Sequence, residues 1–150
     1  MRKQGRFEQY HPLIEFIISA DNAQEIIQKA LQILPPSYED GFRLIFIQKK
    51  NLPSYVMVPE AEQLCMFAVL PTGIEEKYLT ECLAAAKNLH EYAMSIHAKR
   101  YVSGWLGMMS PLEFKNHYGE KATTLFALKK KMDPKNIFSS LFSEKLCDWV

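Results

Sequence analysis

Cysteine is scarce in this sequence. Its three residues, Cys65, Cys82 and Cys147, are widely spaced and make no CxxC pair. That excludes a disulfide framework and the common zinc spacings, and it agrees with a reducing, cytoplasmic compartment. Glycine is also sparse, at six residues, and none belongs to a glycine-rich phosphate loop. A GxSxG nucleophile elbow is missing too. Excess charge of either sign is nearly absent, with 18 Lys+Arg against 17 Asp+Glu, which argues against a nucleic-acid partner held by counterion release. The longest apolar stretches, such as Ile14 to Ala20, fall far short of the roughly 18–20 residues that span a bilayer. No membrane partner is therefore expected, and no apolar segment after residues 2–10 marks a secretory signal.

What is present describes a globular domain. Hydrophobic residues make up 48% of the chain and aromatics 12%, and a chain of this size can bury roughly 68–70% of its unfolded surface. It is short for an enzyme that must hold a dinucleotide and a substrate in separate domains. One domain over residues 1–150 is expected, with 110–150 as a helical C-terminal segment. The neutral total is a cancellation: residues 57–98 carry −4 and residues 99–135 carry +5. Two solvated faces account for this, although the two segments could also face different neighbours.

The periodicities predict strands over Pro12–Ser19, Gly41–Ile47 and Gln63–Leu70, and a short one over Lys99–Ser103. Phe42, Leu44 and Phe46 share one face of the second strand. A helix follows the first strand, with Asp21 or Asn22 as its cap and Glu25 near the third position, and Pro35-Pro36 stops it. A longer helix from about Glu75 to Ile96 carries the stripe Leu79, Cys82, Leu83, Ala86, Leu89, Ala93 and Ile96. Pro111–His117 and Lys121–Lys131 are helical in pattern. The order β-α-β-β-α-β indicates an α+β fold, an antiparallel sheet with helices packed on one face.

Few constellations carry chemistry. His90-Glu91 lacks the second histidine of HExxH, because position 94 is Met, so no metal site is expected. His90 and His97, seven apart on one predicted helix, are expected to be structural or surface residues. Cys65 and Cys82 lie on apolar stretches and read as buried, inert thiols. Lys129-Lys130-Lys131 reads as a solvated face. Gly119 suits a helix end that needs φ > 0, and Asp133-Pro134 suits the cap and first position of a further helical turn.

Four motifs in order resemble the C-terminal region of cytokinin dehydrogenases and related FAD-linked oxidases of the vanillyl-alcohol-oxidase superfamily. They are Gly5-x-Phe7-x-x-x-His11-Pro12, Tyr101-Val102, His117-Tyr118-Gly119 and Asp133-Pro134. The family's corresponding patterns are Gly-x-Trp-x-x-x-His-Pro-Trp, Lys-x-Tyr-Leu, His-Phe-Gly-x-x-Trp and, ten residues later, Asp-Pro. The chain departs from them at Leu13 and Ala122, where the family has Trp. It departs again at Ser139-Ser140-Leu141-Phe142, where the family continues to a Pro-Gly-Gln that returns to the flavin.

The resemblance implies a cap-domain-like fold, the later part of a substrate domain. Tyr101 would be the cofactor-binding residue, its phenol reaching a flavin heteroatom, and Val102 would be the substrate-binding wall. His117, Tyr118, Gly119, Asp133 and Pro134 would be structural. The family's FAD domain, flavin-tethering residue and acidic base precede the matched region. No catalytic residue is therefore expected here, and FAD would be bound mainly by a separate domain or subunit rather than by this chain alone. A flavin-binding subunit is one expected partner. The other is a second copy, because a cap domain lacking its first half leaves a sheet edge uncovered. The competing expectation is a non-catalytic α+β assembly module that self-associates.

Overall fold

Ile14–Ser19 reads Ile-Glu-Phe-Ile-Ile-Ser, and such a branched and aromatic run favours extended backbone buried on both sides. In a computed structural model of the chain it forms β1 (Ile14–Ser19), with Ile14, Phe16, Ile17 and Ile18 all buried. The structure describes residues 8–38, 41–48, 58–71, 73–101 and 110–138. β1 lies inside a four-stranded sheet with β2 (Phe42–Gln48), β3 (Gln63–Val69) and β4 (Lys99–Arg100), in the order β2-β3-β1-β4. Every pairing is antiparallel. The α+β class and the predicted element order both hold.

Register follows from the alternation of side chains. Phe16 sits opposite Phe67 and Ile18 opposite Cys65, while on the far side of β3 Leu44 sits opposite Phe67. These residues share the face that α1 (Ala23–Ile33) and α2 (Glu76–Ser95) cover. Ile26 and Ala30 of α1 and Cys82, Ala86, Leu89 and Ala93 of α2 close over Phe16, Ile18, Cys65, Phe67 and Val69. Complete burial of a side chain such as Phe67 or Leu89 contributes about 1.5–3 kcal/mol.

The two helices run antiparallel. The Asn22 side-chain amide donates to the Ile96 carbonyl at 3.3 Å, and the Tyr92 hydroxyl donates to Glu25. Burial, and then Glu25, push the Tyr92 phenol up to about 12. This arrangement corrects the capping expectation. A 3-10 turn, Ala20–Asn22, leads straight into α1, and Ser19 caps that turn by accepting from the Asp21 N–H. Asn22 is already helical in conformation and makes no side-chain cap, so its amide is used between helices instead.

The far end of α2 differs from expectation as well. The helix stops at Ser95, and His97 takes a left-handed conformation, φ 59°. The Ala98 N–H donates to the Ala93 carbonyl at 3.0 Å and the His97 N–H to that of Met94 at 3.1 Å. That is a Schellman termination with His97 where glycine is usual. His97 therefore does not share a helical face with His90, which is half-buried with its ring stacked on Phe16 at 6.1 Å.

The chain divides into two compact units, one holding the sheet with α1 and α2, the other α3 (Pro111–Tyr118) and α4 (Glu120–Met132). In the second unit Ser110 and Glu113 form a reciprocal capping box, with Pro111 at the first turn of α3. Among the described residues, no helix is long and apolar enough to cross a membrane.

Candidate functional site

β4 is the edge strand next to β1, and Tyr101 directly follows it. Phe16 pairs with Arg100 and Ile17 with Lys99, and the Tyr101 N–H extends the ladder by donating to the Glu15 carbonyl at 3.0 Å. Residues directly opposite across a ladder share a face. Arg100 therefore stands with Phe16 on the helix side and is buried, at 5% exposure. Glu15, Ile17, Lys99 and Tyr101 stand on the opposite side of the sheet. Tyr101 is 37% exposed, and its hydroxyl makes no hydrogen bond to another described residue. The structure thus places a phenol, a carboxylate and an ammonium on one face, with Ile17 and Ala68 buried between and beside them. Val102 lies outside the described residues, as do Gly5, Phe7 and Cys147.

Sequence reasoning missed Glu15 and Arg100. Glu15 had a signal, being the single charge inside a run otherwise suited to burial on both faces. Arg100 had none, because its burial follows from the pairing with Phe16 and not from its neighbours in sequence.

In the second unit, His117, Tyr118 and Gly119 lie together where α3 gives way to α4. The Tyr118 ring meets those of Phe114 and His117 edge-on, each at 4.4 Å. Phe114, Tyr118 and Ala122 are buried. Gly119 has φ 60° and ψ −151°, and it donates its N–H to the Lys115 carbonyl at 2.7 Å. Only glycine adopts that backbone region readily, so the residue turns the chain between two helices without a longer loop.

Asp133 and Pro134 lie past the end of α4, and no helical turn follows them among the described residues. The Asn136 N–H donates to the Asp133 carbonyl at 3.0 Å, which closes a β-turn in place of the expected helix start. The Asp133 carboxylate accepts from the Ile137 and Phe138 N–H groups at 2.8 and 2.9 Å, and from Lys129 Nζ at 3.2 Å. Burial opposes ionisation of Asp133. The Ile137 and Phe138 donors, together with Lys129, outweigh it and hold the carboxyl below the usual range. Lys129 also donates to Asn136 Oδ1 at 2.7 Å. Three lysines in the last turn of α4 suit the negative end of the helix dipole. Asp133 and Pro134 also line a cavity of about 410 Å³ with Thr123, Phe126 and Lys130.

The cysteines behave as read. Cys65 and Cys82 are buried, and burial raises the Cys65 thiol despite a backbone hydrogen bond from Ile45. Among the described residues, no group of three or more His, Cys, Asp and Glu could hold a metal ion. Helix starts bear on any dinucleotide, since a pyrophosphate is commonly held at a helix N-terminus. Each described α-helix carries a carboxylate in its first turn: Glu25, Glu76, Glu113 and Glu120. These carboxylates complement the positive end of each helix dipole.

A four-stranded antiparallel sheet with α1 and α2 packed on one face defines a domain of α+β class. A family model described as "Cytokinin dehydrogenase 1, FAD and cytokinin binding" matches residues 1–141, and the chain belongs to that family. No curated protein matches the chain.

Proposed function

We propose that these residues form the later part of the substrate domain of an FAD-dependent oxidoreductase of the cytokinin dehydrogenase kind. The observation that carries this reading is the family match along residues 1–141. In this reading the flavin is held mainly by a separate domain or subunit, and the chain alone has no complete active site. Tyr101 donates its phenol to a flavin heteroatom at the open end of β4, and Val102, next in sequence, forms an apolar wall for the substrate. Glu15 and Lys99 border the same face. His117, Tyr118, Gly119, Asp133 and Pro134 keep their structural roles, fixing the α3–α4 junction and the turn after α4.

The test is to add FAD to the purified chain, desalt it, and record flavin absorbance. The expected result is negligible retention. Stoichiometric retention would overturn the claim that the flavin is held mainly outside these residues. With a flavin-binding partner supplied and a cytokinin as substrate, Tyr101→Phe should lower kcat/KM about two- to tenfold, the range of one lost neutral hydrogen bond. An unchanged value would remove Tyr101 from the flavin.

A further inference from the structure

β2 ends the sheet, with β3 on one side and no strand on the other among the described residues. The hydrogen bond from the Leu70 N–H to the Gly41 carbonyl, 3.3 Å, sets the phase of the β2–β3 ladder. Phe42 sits opposite Val69, so Arg43, Ile45 and Ile47 turn their backbone groups toward β3. Phe42, Leu44, Phe46 and Gln48 then turn their N–H and C=O groups outward. The side chains of this strand are also uncovered: Phe46 is 71% exposed, Ile45 43% and Leu44 36%. Phe42 reaches the core, its ring 5.6 Å from that of Phe67, but Leu44 and Phe46 on the same face do not. Edges of this kind are usually blunted by lysine, proline or a bulge. β2 has a single charge, Arg43, and none of those devices.

We propose that β2 is the seam of a symmetric homodimer, in which two copies pair antiparallel through this strand into one eight-stranded sheet. The strand is complementary to itself. Placing Ile45 opposite Ile45 of the second copy is the register that overlaps all seven residues. Leu44 then faces Phe46 of the second copy, and Phe46 faces its Leu44. These are the positions whose backbone groups point outward, so each pair exchanges two hydrogen bonds while four exposed apolar side chains cover one another. Arg43 faces Ile47 of the second copy, and no like charges meet. A two-fold axis through Ile45 makes the contact isologous and closed, which ends growth at two copies. The pairing requires neither flavin nor substrate, so it stands apart from the activity proposed above.

Sedimentation velocity of the full chain from about 1 to 100 µM should show a concentration-dependent dimer. Phe46→Lys, with its fold checked by circular dichroism, should weaken that dimer by roughly tenfold or more. Ile45→Cys should give a disulfide-linked dimer in oxidising buffer, above the background of the parent chain. Arg43→Cys should not, because the two copies of that position lie far apart in this register. Should Phe46→Lys fail to fold, the Ile45→Cys and Arg43→Cys pair still decides. A monomer at every concentration overturns the proposal and leaves the edge to a strand from another chain. A dimer that Phe46→Lys leaves intact, without an Ile45→Cys link, also overturns it by placing the interface elsewhere.

Discussion

In the sheet unit, Phe16 of β1, Phe67 of β3 and Leu89 of α2 are completely buried against one another's elements, although more than 70 positions separate the first from the last. Among the described residues of the helical unit, the buried hydrophobic ones, Phe114, Tyr118 and Ala122, come from one short stretch of sequence. Local devices shape that stretch: the Ser110–Glu113 capping box, the Gly119 turn and the Asp133 carboxylate. The contrast separates two sources of stability. Burial of large side chains contributes several kcal/mol per residue but requires distant segments to meet. Caps and turns contribute about a kcal/mol each and are encoded within a few residues.

The largest expected effect tests the first source. Phe67→Ala should destabilise the sheet unit by about 3–5 kcal/mol in a denaturant titration followed by circular dichroism. A loss below about 1 kcal/mol would mean that the core relaxes around the missing ring and that the contrast is overstated. Next is Gly119→Ala in the helical unit. An added Cβ meets nothing within 4 Å, so only backbone strain opposes it. The expected cost is about 1–3 kcal/mol, and a neutral result would show that the α3–α4 junction does not need its positive φ.

His97→Gly should act in the opposite direction. His97 is exposed in a left-handed position that costs a side chain about 1–2 kcal/mol, and glycine returns part of this through its looser unfolded chain. A net gain of roughly 0.5–1 kcal/mol is expected, read as a raised Tm. The smallest effect concerns pH. The Asp133 carboxyl is depressed in the fold, so its contribution is complete above the ordinary carboxylate value of about 3.9 and is lost as pH falls below it. The Ile137 and Phe138 amide resonances should shift together in that acid range, and Asp133→Asn should abolish the transition. A shift with a midpoint above the ordinary value would reverse the assigned sign.

Much of the fold was legible because its signals are periodic. The strand run at Ile14–Ser19, the stripe on α2 and the β-α-β-β-α-β order all follow from where apolar residues recur. Gly119 was legible as well, since few residues other than glycine accept its backbone angles. The Ser110-Pro111-x-Glu113 signature was present but unread. Asn22 holds the cap position of α1 but makes no capping bond, because a 3-10 turn capped by Ser19 precedes it and its amide is drawn into a contact 74 positions away. His97 was assigned to a helix that had already ended, since sequence periodicity does not register a left-handed residue. Tyr101 was singled out by a motif, whereas Glu15 and Lys99 are set on its face by strand register.

The sequence by itself determined the α+β class, the inert buried cysteines, the Gly119 turn and the family. Each rests on residue type or on spacing over a few turns. The tertiary structure alone decided that Glu15, Lys99 and Tyr101 share one face, that Arg100 is buried, and that β2 is left at the edge with Leu44 and Phe46 uncovered. Those outcomes depend on which strands become neighbours and in which register. That choice is made by the collective burial of β1, β3, α1 and α2, a property that no single segment of the chain carries.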